Sequence, residues 1–181
     1  MTIRLICATI KIKKIPDPNW LSGFVTGDGS FDIRIIKLIT KKGGYRIQLR
    51  FRITQHDRDI ELMELIIKYL GTGKINKYSS KTLSNKSIPT FGDVENKSII
   101  IRPDHNVTQK SAVSISIVKF SDIINIIIPL FEKNPLLGVK LLEFLDWCKV
   151  AKLMNDGTHN TPEGLKFIQQ IKSGMNKGRK K

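Results

Sequence analysis

The chain has 181 residues, with 31 Lys and Arg against 16 Asp and Glu, a formal charge of +15 and a pI near 9.9. Its length suits one domain. With 40% hydrophobic and 26% charged residues, it has enough apolar surface for a core, which excludes wholesale disorder. No apolar run reaches the ~18 residues that a membrane span needs; the longest candidate, Ile123 to Phe131, is broken by Asn125 and Pro129. A membrane span is therefore excluded. Cys7 and Cys148 are too few for a disulfide framework or a thiolate metal site and read as reduced structural thiols. The surplus of positive charge calls for an anionic partner, and basicity alone does not choose among nucleic acid, an anionic surface and a ribosome-like assembly.

The lead-in, residues 1–16, is apolar and basic but has one Arg and no Ser, unlike a targeting leader. Asp17-Pro18 marks a helix start, because Asp is a good N-cap and Pro fits the first turn. That helix carries Trp20, Leu21, Phe24 and Val25 and stops at Gly27-Asp28-Gly29. Lacking Lys, Arg and Glu, it is expected to be buried on most sides. Two alternating strands follow. In Ser30 to Ile35, Phe31, Ile33 and Ile35 alternate with Ser30, Asp32 and Arg34. After a turn at Lys41-Lys42-Gly43-Gly44, Tyr45, Ile47, Leu49, Phe51 and Ile53 form one face, and Arg46, Gln48, Arg50, Arg52 and Thr54 the other. Period-two geometry therefore sets three Arg and one Gln on a single side of the sheet.

An amphipathic helix runs from about Asp57 to Leu70 and ends at Gly71 and Gly73. A strand from Lys74 to Tyr78 comes next, with Lys74, Asn76 and Tyr78 in phase. Residues 79 to 112 read as a polar loop with one apolar run, Ile99 to Ile101. Val113 to Val118 reads as a strand in which Ser114 and Ser116 face away from Val113, Ile115 and Ile117. Ser121 or Asp122 caps a third helix ending near Pro129 to Pro135, Leu136 to Met154 forms a fourth, and Thr161-Pro162-Glu163 begins the last. A basic tail, residues 176–181, closes the chain. This order gives an α+β fold, αββαββα plus C-terminal helices. Its antiparallel sheet is covered on one face and offers a basic polar face of a width that suits a DNA major groove. It is this basic strand face that favours DNA over a membrane partner.

Leu21-Ser22-Gly23-Phe24-Val25-Thr26-Gly27-Asp28-Gly29 resembles the LAGLIDADG motif of homing endonucleases. Leu21, Gly23, Asp28 and Gly29 match outright, Ser22, Phe24, Val25 and Gly27 are conservative variants, and Thr26 departs from the motif's Asp. The strand pair, helix and Gly-Thr-Gly strand that follow extend the resemblance over residues 17–175. It implies a saddle-shaped antiparallel sheet on DNA and a single-motif subunit, working as a homodimer or as half of a two-motif protein. Gly23 and Gly27, four residues apart, permit close approach of two such helices. Leu21, Ser22, Gly23, Val25, Thr26 and Gly27 are the expected subunit contact. That contact pairs two Asp28 carboxylates at helix C-termini, where they repel each other and oppose the helix dipoles. A divalent cation, Mg²⁺ by preference, relieves the conflict, with Asp28 and Gly27 at the metal.

The implied activity is metal-assisted hydrolysis of a long, near-palindromic DNA duplex site, leaving 3′ overhangs and encoded by an intron. The resemblance also implies catalytic roles for Gln55, near the attacking water, and for Lys140, at the scissile phosphate. His56 reads as structural, and His105 and His159 carry no role. The residues expected near the groove are Ser30, Asp32, Arg34, Arg46, Gln48, Arg50, Arg52, Lys74, Asn76, Tyr78, Ser114 and Ser116, with Arg suited to guanine and Asn or Gln to adenine. Two alternatives remain open: a maturase for a group I intron RNA, and a catalytically silent DNA-binding regulator. Abundant Ile, Lys and Asn with scarce Ala fit an AT-rich organelle genome, such as a mitochondrial one.

Overall fold

The computed structural model describes residues 14–15, 17–38, 44–78 and 111–175. The lead-in up to residue 13, the expected turn at Lys41 to Gly43, most of the 79 to 112 segment with Ile99 to Ile101, and the basic tail lie outside the described residues. The first helix, α1 (Pro18–Asp28), begins as expected: the Asp17 carboxylate accepts the Trp20 amide at 3.0 Å and Pro18 occupies the first turn. It ends without a loop, because Gly29 donates its amide to the Val25 carbonyl and is already the first residue of β1 (Gly29–Lys37). A Cβ on Gly29 would lie 2.5 Å from Val25 Cγ1 and 2.6 Å from its carbonyl oxygen. Only glycine lets the chain turn directly from helix to strand, with Asp28 at the corner.

Next come β2 (Tyr45–His56), a 3₁₀ turn (Asp57–Asp59), α2 (Ile60–Leu70), β3 (Lys74–Tyr78) and β4 (Ala112–Ile117). Gly71, at φ 67°, closes α2 in the left-handed conformation. The four strands form one antiparallel sheet in the order β1-β2-β4-β3. Both hairpin strands outrun the alternation that announced them, β1 continuing to Lys37 and β2 to His56. The extra residues still find register partners, Lys37 opposite Tyr45 and His56 opposite Ala112.

One face of the sheet is the core. Phe31, Ile33, Ile47, Leu49, Phe51, Ile53, Val113, Ile115 and Ile117 are each at most 7% exposed. They are covered by Met63 and Ile66 of α2 and by the C-terminal helices. The first of these is a single run in three pieces, α3 (Phe120–Asp122), a π-helical turn (Ile123–Ile127) and α4 (Ile128–Lys133). Neither Ser121 nor Asp122 is its N-cap, which is Lys119; the run passes through Pro129 and ends at Lys133, within the expected stretch from Pro129 to Pro135. Proline cannot donate to the preceding turn and crowds it; the widened turn just before Pro129 absorbs that conflict.

Beyond lie α5 (Gly138–Asn155) and α6 (Pro162–Ser173), the latter capped by Thr161 Oγ1 on the Gly164 amide at 3.0 Å. α5 is seated by an aromatic cluster: the rings of Phe51, Phe144 and Trp147 lie 5.3, 5.4 and 5.2 Å from Phe31. Each such side chain contributes about 1.5–3 kcal/mol on burial. Trp147 Nε1 also donates to the Asp32 carbonyl at 3.2 Å, which ties α5 to the edge strand.

Candidate functional site

The turn from α1 into β1 leaves Asp28 exposed at one end of the sheet. On the neighbouring strand, alternation places Gln55 two residues past Ile53, on the same side but beyond the buried core. Its Nε2 donates to Asp28 Oδ2 at 2.7 Å. Two residues singled out separately in the sequence are thus joined in one contact, a carboxylate at a helix C-terminus held by a neutral amide. His56, the next residue, is structural: its Nδ1 accepts the Arg58 amide at 3.3 Å.

Thr26, where the motif departs from Asp, has a docking role. Its hydroxyl donates to the Ser22 carbonyl at 2.8 Å and accepts the Leu137 amide at 3.2 Å, while Ser22 Oγ donates to the Asn134 carbonyl at 2.7 Å. These bonds fix the turn before α5 against α1. Lys140 follows in the first turn of α5, where Nζ lies 3.1 Å from Glu143 Oε2. Among the described residues no hydrogen bond or ion pair joins Lys140 to Asp28. Glu143 was missed in the sequence; its signal was an acidic residue one turn after the lysine, on the apolar side of its helix.

Of the residues expected at the subunit contact, part are turned inward. Leu21, Ser22 and Val25 are at most 3% exposed, buried against this chain's own core, and Thr26 is engaged by the turn before α5. Gly23 and Gly27, from the same expected set, form the outward side of α1, where an added Cβ would meet nothing within 4 Å. Trp20 and Phe24 lie beside them, their rings stacked 5.3 Å apart with an 8° interplanar angle. That pair also escaped the sequence reading, although its i, i+4 spacing was a signal.

On the polar face of the sheet, Ser30, Arg52, Ser116 and Lys74 form one row across all four strands. Thr54, Ser114 and Asn76 form the next, and Arg34 lies opposite Gln48. Arg46 and Tyr78 are exposed near the two outer corners. Two expectations change here. Asp32, opposite Arg50, takes both Arg50 Nη2 and Nε on one carboxylate oxygen at 2.7 and 3.0 Å, so this arginine is neutralised within the sheet. Ser114 is 1% exposed and donates to the Tyr78 hydroxyl at 3.4 Å, which removes it from the surface. Arg52 Nε, by contrast, is buried without a hydrogen-bond partner among the described residues, a donor left for another group.

A divalent cation of the hard, oxygen-seeking kind takes about six ligands. Asp28 supplies one exposed carboxylate, and among the described residues no group of three His, Cys, Asp or Glu side chains is placed to hold an ion. Among the described residues Asp28 therefore offers one ligand of such a site and not a complete set.

Sequence and fold match one family. The profile described as LAGLIDADG endonuclease covers residues 21–102 and 97–151, well over half of the chain, and the chain belongs to that family. The probable intron-encoded endonuclease 3 of Neurospora crassa is 43% identical over 155 residues, which are 86% of this chain and 24% of that protein. An uncharacterized mitochondrial protein of Saccharomyces cerevisiae is 23% identical over 161 residues, 88% of this chain and 31% of that one.

Among solved structures, the LAGLIDADG homing endonuclease I-SmaMI bound to cleaved DNA superposes with a TM-score of 0.74 at 38% identity, over 96% of this chain and 48% of that chain. The same protein bound to an uncleaved DNA target in the presence of calcium ions gives a TM-score of 0.73 at 38% identity, over 94% and 48%. The chain therefore spans under a third of these curated relatives and about half of the solved protein.

Proposed function

We propose that this chain is one lobe of a site-specific, metal-dependent DNA endonuclease, intron-encoded in an organelle, that hydrolyses both strands of a long duplex target and leaves 3′ overhangs. The observation that carries the reading is Asp28, exposed at the end of α1, held by Gln55 and standing beside an outward glycine face with no Cβ. A second lobe, in the simplest case another copy of this chain, packs its own α1 across Gly23 and Gly27 and brings a second Asp28 alongside. Two copies read a near-palindromic target.

The paired carboxylates, with Gly27 beside them, would hold Mg²⁺ or a similar divalent cation, which when bound supplies positive charge to the scissile phosphate and lowers the cost of deprotonating water. Gln55 orients the Asp28 carboxylate. Arg34, Arg46, Gln48, Arg52, Lys74 and Asn76 on the polar sheet face meet base edges and phosphates in the major groove. Lys140 places a cation near the reacting phosphate. Intron-encoded and mitochondrial relatives support the organelle setting.

The test is cleavage of a randomised duplex library with Mg²⁺, followed by sequencing of the cut ends. Asp28→Asn is expected to lower the cleavage rate by at least about a thousandfold, the scale of lost metal assistance. Binding of the selected target, and its steep weakening with salt, should persist. Specific cutting by the mutant at the native rate would overturn the reading. Solution mass with the selected target should correspond to two lobes on one duplex; one lobe per duplex would overturn the pairing.

A further inference from the structure

The ion pair in the first turn of α5 has no account in helix stability. Lys140 is the third residue of that helix, where a cation lies near the positive end of the dipole, and a lysine preceding its acid is the less favourable order. Nor does packing explain it. The two side chains are 17% and 8% exposed, and a buried ion pair seldom stabilises more than apolar side chains of similar volume.

Placement does explain it. One turn earlier, the Leu137 amide is bound to Thr26 Oγ1 at 3.2 Å; one turn later, the Phe144 ring lies 5.4 Å from that of Phe31. Thr26 and Phe31 flank Asp28 in sequence on the α1-to-β1 corner, so the two anchors on either side of Lys140 are made to residues on either side of Asp28. We infer that Glu143 is a positioning residue: its buried carboxylate holds the Lys140 ammonium beside the Asp28 end of the sheet. This rests on the endonuclease reading above. Glu143 touches no substrate itself. It keeps a long, flexible side chain in one place, so that its charge is already set where negative charge develops on the phosphate.

The test compares Glu143→Gln, Glu143→Met, Lys140→Ala and the Glu143→Gln/Lys140→Ala pair in the full chain. Glu143→Gln is expected to lower kcat about tenfold or more with KM within about twofold, and to cost nothing further once Lys140 is alanine. Glu143→Met, close in volume and apolar, should fold and share that kinetic loss. Independently of cleavage, acetic anhydride labelling read by peptide mass spectrometry should modify Lys140 at least about fivefold faster in both Glu143 variants than in the native chain. Equal labelling rates, or additive losses in the double variant, overturn the inference. Faster labelling of the variants with no cleavage by the native chain would uphold the tether while refuting the endonuclease reading.

Discussion

Two helices bring charge to the same end of the sheet, and they do so in opposite ways. α1 ends on Asp28, exposed and held from the neighbouring strand by the neutral amide of Gln55. α5 begins with Lys140, mostly enclosed and held from within its own helix by the buried carboxylate of Glu143. An anion at a helix C-terminus and a cation in a first turn both oppose the helix dipole, so neither charge is where helix stability would put it. The difference lies in what holds each one. Asp28 depends on strand register and on the glycine corner at Gly29, whereas Lys140 depends on how well α5 is seated in the core.

The largest expected effect tests that seat. Phe144→Ala removes a ring that packs on Phe31, Phe131 and Trp147, and it should cost about 3–5 kcal/mol in urea unfolding. Lys140 should become more reactive to acylation under native conditions, while Asp28, fixed through β2, should keep its contact with Gln55. A loss below about 1 kcal/mol would mean that α5 is not anchored there.

A smaller effect on folding, with a large one on assembly, is expected at the α1 end. Gly23 faces outward with open space around its Cβ position, so Gly23→Leu should leave the single lobe as stable as before or about 1 kcal/mol more stable, by helix propensity. The same side chain would hold two α1 helices apart and abolish pairing in sedimentation with target DNA. Unimpaired pairing would place the contact elsewhere.

The contrast also explains what could be read from the chain. The start of α1 was legible because Asp17-Pro18 is a local signal, and the sheet faces were legible because alternation from Tyr45 to Thr54 needs no tertiary context. Which residues of α1 face inward was not. Ser22, Gly23, Thr26 and Gly27 are all small, and only the bonds from Ser22 and Thr26 to Asn134 and Leu137, far along the chain, divide them into an inner and an outer pair. The neutralisation of Arg50 by Asp32 depends on register across the hairpin, which alternation on a single strand does not supply. The π-helical turn ahead of Pro129 was not legible, because such a turn carries no distinct sequence mark.

The smallest expected effect belongs to α5 and follows from Cys148, two turns beyond Lys140. Burial, with the charge of Glu132 adding to it, pushes this thiol up to about 12. In the folded chain it stays protonated, while in the unfolded chain it ionises from about pH 8.5. Above that pH the unfolded state binds fewer protons than the native state, so this group's contribution to stability declines as pH rises toward about 12. With Cys7→Ser leaving one thiol, iodoacetamide at pH 8 should modify Cys148 about a thousandfold more slowly in the native chain than in urea. Adding Cys148→Ala should flatten the fall in stability above about pH 8.5 relative to Cys7→Ser alone. Phe144→Ala, by loosening the same helix, should bring native alkylation closer to the unfolded rate, whereas Gly23→Leu on α1 should leave it unchanged. If both substitutions sped alkylation equally, the two helices would not be held independently, and the contrast between them would fail.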